Sequence, residues 1–197
     1  MGTRGARGFV VNGVEKVTYV HYDAYADGLG TDFINWLKSK SIDELKEIAS
    51  NIELVDQDTS ATDDMIEYVM NFEKVNNIRI MNLNVSNRNP VDKYCLFGEL
   101  QDNFKAYGLG FKYMIDSKDF LYDGLFCEHA YIMNLDTGKF EYYKGFSHEC
   151  KNQGRYNITE SEYITDSGSK YYGVSLMNEF EFNDIGKFIT EICEKDE

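Results

Sequence analysis

The sequence has little of several residue types that mark particular classes of protein. It has one proline, three histidines and four widely spaced cysteines with no Cys-x-x-Cys pair. That spacing fits no zinc pattern, so we expect neither a metal nor a cofactor. No apolar run approaches the roughly 20 residues that a membrane-spanning helix needs, and no signal peptide precedes the first predicted strand. We therefore expect a cytoplasmic protein with reduced thiols and no membrane contact.

Positive charge is also scarce, since 20 Lys and Arg face 34 Asp and Glu for a net charge of −14. A field of that sign repels the phosphate backbone at long range, so we expect no direct binding to nucleic acid. An acidic surface serves solubility in most proteins, but it also docks basic partners or mimics the phosphates of DNA. The composition leaves these alternatives open.

Aromatic and other hydrophobic residues are plentiful, and turn signals organise them into two hairpins. Asn12-Gly13 lies between two apolar runs, which is a strong hairpin signal because both residues tolerate positive φ. A second hairpin is predicted around Asp136-Thr137-Gly138. Because hairpins pair antiparallel and lie apart from the helical segments, we predict an α+β fold. The prediction is a single domain over residues 1–197, with an antiparallel sheet built from two hairpins and helices packed on it.

Capping residues and apolar periodicity predict the helices. Thr31 or Asp32 caps the first, Ser41 opens a capping box with Glu44, and Thr62 caps the third. The predicted helices span about 32–39, 41–52, 62–74, 92–104 and 183–194. Residues 76–91 are predicted as a connector, 145–170 as loop and 171–177 as a strand.

Alternation along the strands predicts which side chains share a face of the sheet. In the first hairpin Val17, Tyr19 and His21 are expected on one face. In the second, Cys127 and His129 are expected to share a face with Tyr131 and Met133.

The stretch 19–32 carries the densest set of groups suited to chemistry. His21, Asp23 and Asp27 lie between a predicted strand and a predicted helix, among three aromatic rings and beside Gly28 and Gly30. A rigid strand places such groups, and the N–H groups at a helix start face them. This stretch is therefore the predicted working site.

Three blocks of sequence together resemble a known family. They are Met1-Gly2-Thr3-Arg4-Gly5 leading to Gly8-Phe9, the pattern YxHxDxYxxGLG over 19–30, and the pattern LFCExAYxxNLDTG over 125–138. The chain resembles a family of small, functionally uncharacterised proteins found mainly in bacteriophages and prophages. Ala26 replaces the proline usual in that loop, and His129 replaces an aromatic residue. The resemblance implies no reaction, but it implies a counter-defence or host-takeover role in the host cell cytoplasm.

The favoured hypothesis is capture of an anionic small ligand, such as a nucleotide immune signal, without turnover. Arginine forks and a histidine suit anions, and tyrosine rings stack on bases. The predicted ligand-binding residues are Arg4, Arg7, Tyr19, His21, Asp23, Tyr25, Gly28 and Gly30.

Two alternatives stay open. One is a hydrolase in which Asp23 orients His21 as general base. The other is an acidic inhibitor that docks onto a host defence protein through Asp56, Asp58, Asp63, Asp64 and the tail from Glu191 to Glu197. The sequence does not decide whether the chain forms a homo-oligomer.

Overall fold

The structure, a computed structural model, describes residues 2–81, 91–101 and 103–193. The strands are β1 (Gly5–Val11), β2 (Val14–Val20), β3 (Glu53–Val55), β4 (Tyr113–Ile115), β5 (His129–Asn134), β6 (Lys139–Lys144), β7 (Tyr163–Ile164), β8 (Lys170–Tyr171) and β9 (Ser175–Glu181). The α-helices are α1 (Thr31–Lys38), α2 (Ile42–Asn51), α3 (Asp63–Asn76), α4 (Lys93–Leu96) and α5 (Lys105–Gly108). Most of the predicted connector over 76–91 and the end of the predicted acidic tail lie outside the described residues.

The main sheet has five strands in the order β2-β1-β5-β6-β9. Both predicted hairpins are present, but they join through β1 and β5, which run parallel with Gly5 opposite His129. The predicted antiparallel sheet built from two hairpins is therefore confirmed in part: both hairpins pair antiparallel, but the sheet as a whole is mixed. The segment between the hairpins leaves β2 and returns at the same end of the sheet, so β5 runs antiparallel to β2. Because β5 pairs with β1 rather than with β2, this pairing is parallel. Two small sheets, β3-β4 and β7-β8, complete the α and β elements of one compact domain.

Hydrogen bonds join the turns of the two hairpins. Asn12 and Gly13 both have positive φ, 53° and 72°, as the predicted tight turn requires. Their two N–H groups donate to the carboxylate of Asp136, each at 2.8 Å. Asp136 belongs to the second hairpin turn, so its carboxylate fixes the two hairpins at the end of the sheet where both turn.

Each face of the sheet packs against its own apolar cluster. Phe9, Tyr131 and Phe140 lie on the face that the helices cover. Ala6, Val17 and Ile132 lie on the other face, with Cys127. The predicted pairing of Cys127 with His129 on one strand face is therefore wrong. Strand β5 begins at His129. Cys127 precedes it in a turn, where the N–H of Cys127 donates to the carbonyl of Asp123.

Local capping fixes the second and third helices where the sequence predicts them. The predicted cap of α1 by Thr31 or Asp32 is wrong, because the helix follows Gly30 with no side-chain cap and Thr31 is its first residue. Ser41 and Glu44 form the reciprocal capping box of α2, and Thr62 accepts from the N–H of Met65 at the start of α3. The predicted helix over 92–104 is wrong in extent. Only α4 and a 3-10 turn at Gly98–Gln101 form there. The C-terminal segment forms short 3-10 and π turns over Phe182–Asp184 and Ile189–Cys193 rather than one α-helix.

The segment after β6 is held on the second face by a polar network around Arg155. This guanidinium lies 2.6 Å from the carboxylate of Glu141 and 2.9 Å from that of Glu15. The hydroxyl of Tyr156 donates to Glu15 at 2.7 Å, and that of Tyr143 donates to Glu141 at 2.8 Å. Burial raises the pKa of both tyrosines, so their hydroxyls stay protonated donors. The buried carboxylate of Glu141 and the partly buried carboxylate of Glu15 are thereby compensated, as buried charges must be.

Lys16 joins the first hairpin to the C-terminal end of α2. Its side chain is buried, and its Nζ donates to the carbonyls of Ala49, Ser50 and Ile52 at 2.8, 3.2 and 2.6 Å. The last carbonyls of a helix lack partners within the helix and carry negative partial charge, so a buried ammonium both satisfies and attracts them. Burial lowers the pKa of Lys16, which shows that its desolvation opposes this gain.

No helix among the described residues combines the length and the apolar character that crossing a lipid bilayer requires.

We expect Lys16→Met to lower the free energy of unfolding by about 2–3 kcal/mol, since it retains the apolar stem but leaves buried carbonyls without a donor. Urea denaturation of the variant and the parent measures the change. Lys46→Met, on the exposed side of α2, is the control and should change stability by less than about 0.5 kcal/mol. Equal effects of the two substitutions would contradict the capping role of Lys16.

Candidate functional site

The structure distributes the predicted site residues over three places. Arg4 and Tyr19 line a cleft beside the end of β2. Asp23, Tyr25 and Gly28 line a separate groove beside α1. Arg7 is buried under the helical layer. His21 lies between the cleft and the groove, while Gly30 packs inside the protein.

Arg7 does not converge with Arg4 and His21. In the sheet register it lies opposite Thr18 and Tyr131, so it faces the helical layer, whereas Tyr19 faces the other side. Its Nη2 donates to the carbonyl of Leu100 at 2.5 Å, and its guanidinium lies 4.9 Å from the ring centre of Phe104. These contacts make Arg7 an anchor for the irregular segment around Leu100 and Phe104, and its side chain is 0% exposed.

Backbone N–H groups of the loop after β2 donate hydrogen bonds to carbonyls of the same loop. The N–H of Leu29 donates to the carbonyl of Asp23, and the N–H groups of Gly28 and Gly30 donate to the carbonyl of Tyr25. These are the groups that a helix start would offer to an anion. Because loop carbonyls already accept them, this turn presents no free N–H cradle at Gly28–Gly30.

Gly28 and Gly30 are required by close packing of the loop. A Cβ on Gly28 would lie 2.9 Å from the carbonyl oxygen of Asp23, and one on Gly30 would lie 2.8 Å from the ring of Tyr131. The hydroxyl of Tyr131 donates to the carbonyl of Ala24 at 2.8 Å. Burial raises the pKa of Tyr131 well above its usual range, so the hydroxyl remains a donor that holds the loop against β5.

His21 is bonded to Tyr19 rather than to Asp23. Its Nδ1 lies 2.5 Å from the Tyr19 hydroxyl. The strand ends at Val20, and Asp23 has a left-handed φ of 53°, so the alternation that would align His21 with Asp23 does not continue that far. Burial raises the pKa of Tyr19 while the charge of Arg4 opposes the rise, which favours the neutral phenol.

The cleft beside β2, called the acidic cleft below, has a volume of about 660 Å³. Among the described residues, five aspartates line it, together with aromatic rings and one arginine. The lining residues are Arg4, Tyr19, Asp56, Gln57, Asp58, Tyr94, Asp116, Ser117, Asp119, Phe120, Asp123 and Phe126. A smaller depression of about 370 Å³ shares Asp56, Asp116 and Asp119 with it.

Backbone pairing assembles the walls of the acidic cleft. The small sheet β3-β4 places Asp56 and Asp116 side by side, since each follows directly after its strand and the N–H of Asp116 donates to the carbonyl of Val55. The N–H of Ser117 donates to the carbonyl of Val17 at 2.8 Å and brings this sheet against β2.

Arg4 forms part of the other wall. Its N–H donates to the carboxylate of Glu128 at 3.2 Å, and its carbonyl accepts from the N–H of Glu128 at 3.0 Å. Its guanidinium lies 5.3 Å from the ring centre of Phe126, within the range of a cation–π contact. The cleft therefore already stacks one guanidinium of this chain on an aromatic wall.

The acidic cleft attracts cations. Among the residues that the structure describes in its lining, five carboxylates outweigh the guanidinium of Arg4, so these groups repel an anion that enters the cleft. The carboxylates do not converge, and no three His, Cys, Asp or Glu side chains of residues 2–81, 91–101 and 103–193 are placed to hold a metal ion. Separated carboxylates among aromatic rings suit the ammonium and guanidinium groups of Lys and Arg side chains.

Sequence reasoning singled out Asp56 and Asp58 as acidic surface but missed the three aspartates that join them in the cleft. Asp116, Asp119 and Asp123 recur at intervals of three and four residues, with Phe120 among them. That spacing is a signal that was available in the sequence. The parallel pairing of β3 with β4, which brings Asp116 beside Asp56, is not available there.

We expect Tyr131→Phe to lower the free energy of unfolding by about 1–2 kcal/mol, because the buried carbonyl of Ala24 loses its donor. Urea denaturation measures this loss. Tyr25→Phe removes a hydroxyl from a side chain that is 46% exposed and should be close to neutral. A neutral Tyr131→Phe would show that this bond does not hold the loop.

No family model, curated protein or solved structure matches this chain.

Proposed function

We propose that this protein is a non-catalytic binding protein that docks a basic segment of a partner protein in the acidic cleft. The observation that carries the proposal is the set of five aspartates around a concave, aromatic-walled space of about 660 Å³. Charge complementarity of this kind speeds encounter and selects the partner. A docked Lys or Arg side chain contacts both the carboxylates and the ring faces of the cleft.

The aromatic residues supply the apolar contact that an electrostatic site alone lacks. Phe126 and Tyr94 are 46% and 42% exposed, so rings of the cleft wall remain open to solvent. Tyr19 packs edge-on against Phe120, with ring centres 4.9 Å apart. Exposed aromatic side chains beside charges are typical of the residues that dominate binding energy at protein interfaces.

The resemblance to small phage and prophage proteins supports the biological setting of this proposal. In that setting the partner is a host defence protein, the site of action is the host cell cytoplasm, and the role is counter-defence by inhibition. The partner's docking segment is rich in Arg or Lys because only a basic segment complements the acidic cleft.

Capture of an anionic ligand is a second candidate, and Arg4 is the observation that favours it. Its guanidinium lines the acidic cleft with Tyr19, and that pair offers a fork for phosphate beside a ring for a base. The five aspartates oppose this arrangement. Titration of the parent with nucleoside monophosphates and triphosphates tests it directly.

Neutralising Asp58 and Asp119 should weaken binding of a basic probe about fivefold. Both side chains are exposed, line the acidic cleft and accept no hydrogen bond from the described residues, so Asn replacements preserve the wall. Two exposed ion pairs at about 0.5 kcal/mol each give about 1 kcal/mol. The probe is acetylated, amidated tri-arginine, and calorimetry at low salt measures its dissociation constant.

Two controls separate docking in the cleft from attraction to the net charge. Glu179→Gln with Glu181→Gln removes the same charge from β9, at the edge of the sheet opposite β2, and should leave the affinity within about twofold. Tri-citrulline, which keeps the shape of the probe without its charge, should bind far more weakly. Equal loss from the Asp58/Asp119 and Glu179/Glu181 variants would overturn the proposal.

The hydrolase alternative rests on His21 and its bond of 2.5 Å to Tyr19. If His21 acts as a general base on a nucleotide, we expect His21→Asn to abolish turnover and to spare binding, because Asn cannot shuttle a proton at neutral pH. Product formation from nucleoside triphosphates, measured for the parent and the variant, tests this. Tyr22→Phe, next to His21, is the control. Turnover at the parent rate in His21→Asn would remove His21 from any catalytic role.

A further inference from the structure

We propose that the acidic cleft and the groove beside α1 form one continuous track for an extended Arg- and Lys-rich peptide segment. This inference rests on the proposed function and specifies the shape of the docked partner segment. The groove has a volume of about 490 Å³ and is lined by Asp23, Asp27 and Asp32 with exposed aromatic rings. It therefore repeats, on a smaller scale, the combination of groups in the cleft.

A row of aromatic rings connects the two depressions. Phe120 and Tyr19 line the cleft, and Tyr22 lines the groove. Between them, the ring centres of Tyr19 and His21 are 5.7 Å apart and those of His21 and Tyr22 are 4.2 Å apart. Since Phe120 lies 4.9 Å from Tyr19, each ring in the row contacts the next. A peptide can thus pass from one depression to the other over aromatic surface.

The N-terminal segment supports the row from one side. The carbonyl of Thr3 accepts from the N–H of Ala24 at 3.1 Å, which ties the segment to the chain just after Tyr22. A Cβ on Gly2 would lie 2.5 Å from the ring of Tyr22, so this close approach needs glycine. The ring of Tyr22 is nevertheless 56% exposed, and its outer surface remains available to a partner.

The charge distribution favours an extended segment over a single cation. Carboxylates occur at both ends of the row, five in the cleft and three in the groove. A single Lys or Arg side chain leaves most of these carboxylates without a cation. An extended chain advances about 3.3 Å per residue, so a segment of several basic residues places side chains in both depressions and stacks others on the rings between them.

The residues that line the groove do not suit an anionic ligand. The described residues that line it are Tyr22, Asp23, Tyr25, Asp27, Gly28, Leu29, Asp32 and Phe104, and none of these has a basic side chain. The N–H groups of Gly28, Leu29 and Gly30 are bonded within the loop. The groove therefore offers carboxylates and ring faces alone, which suit a guanidinium or ammonium group.

The experiment compares a short and a long basic probe. The backbone of tri-arginine extends about 10 Å, which is shorter than the row from Phe120 to Tyr22, whereas that of nona-arginine extends about 30 Å and can fill both depressions. The two sites then act on one ligand, and the second contact forms at high effective concentration. Dissociation constants of both peptides are measured by calorimetry for the full chain and for variants.

Asp23→Asn with Asp27→Asn should weaken nona-arginine about fivefold and leave tri-arginine within about twofold. Both side chains are exposed, and Asn tolerates the left-handed φ of Asp23. Tyr22→Leu, which removes the exposed ring at the junction, should likewise weaken only the long probe. The matched control is Glu179→Gln with Glu181→Gln, which should not change the ratio of the two constants.

The outcomes separate the two proposals. If nona-arginine binds equally well to the parent, the Asp23/Asp27 variant and Tyr22→Leu, while tri-arginine still depends on Asp58 and Asp119, the continuous track is wrong and the cleft proposal stands. If tri-arginine does not depend on Asp58 and Asp119, the cleft proposal itself is wrong. Equal weakening of nona-arginine by the groove variant and the Glu179/Glu181 control would also overturn the track.

Discussion

The parallel pairing of β1 with β5 is the constraint on which the rest of the structure depends. It joins two hairpins, each of which is marginal alone, into one sheet with a strand buried on both faces. Because β5 enters in the direction of β1, the whole segment from Tyr22 to Glu128 has to leave one end of the sheet, cover it and return to the same end. The acidic cleft lies at this end, where β2 finishes and β5 begins.

The same pairing places the side chains of Arg4 and Arg7 in different surroundings. Arg7 lies within β1 on the face that the helices cover, so it is buried and anchors the segment at Leu100. Arg4 precedes β1, and its backbone pairs with Glu128 just before β5. Its side chain therefore reaches Phe126 at the wall of the cleft. Three positions along the chain separate a buried side chain from one in the wall of the cleft.

Local signals made much of the fold predictable from the sequence. The Asn12-Gly13 turn and the Ser41–Glu44 capping box depend on neighbouring residues only, and both form as predicted. The parallel register of the sheet and the set of residues in the cleft could not be predicted from neighbouring residues. Asp56 and Asp116 are 60 positions apart in sequence, and they meet only because β3 pairs with β4. The helix predicted over 92–104 fails for a related reason, since tertiary contacts such as the one to Arg7 outweigh local helix propensity.

The acidic cleft also gives the net charge of −14 a specific consequence. Charge spread evenly over a surface is screened beyond roughly 8–10 Å at physiological ionic strength, so it steers a partner only weakly. Carboxylates gathered around a concave space focus the field there. Arg4, held over Phe126 by its backbone bonds to Glu128, offsets one of these charges without filling the space. The cleft can therefore remain strongly attractive to a basic segment while the opposite edge of the sheet, at β9, contributes only general repulsion of acidic molecules.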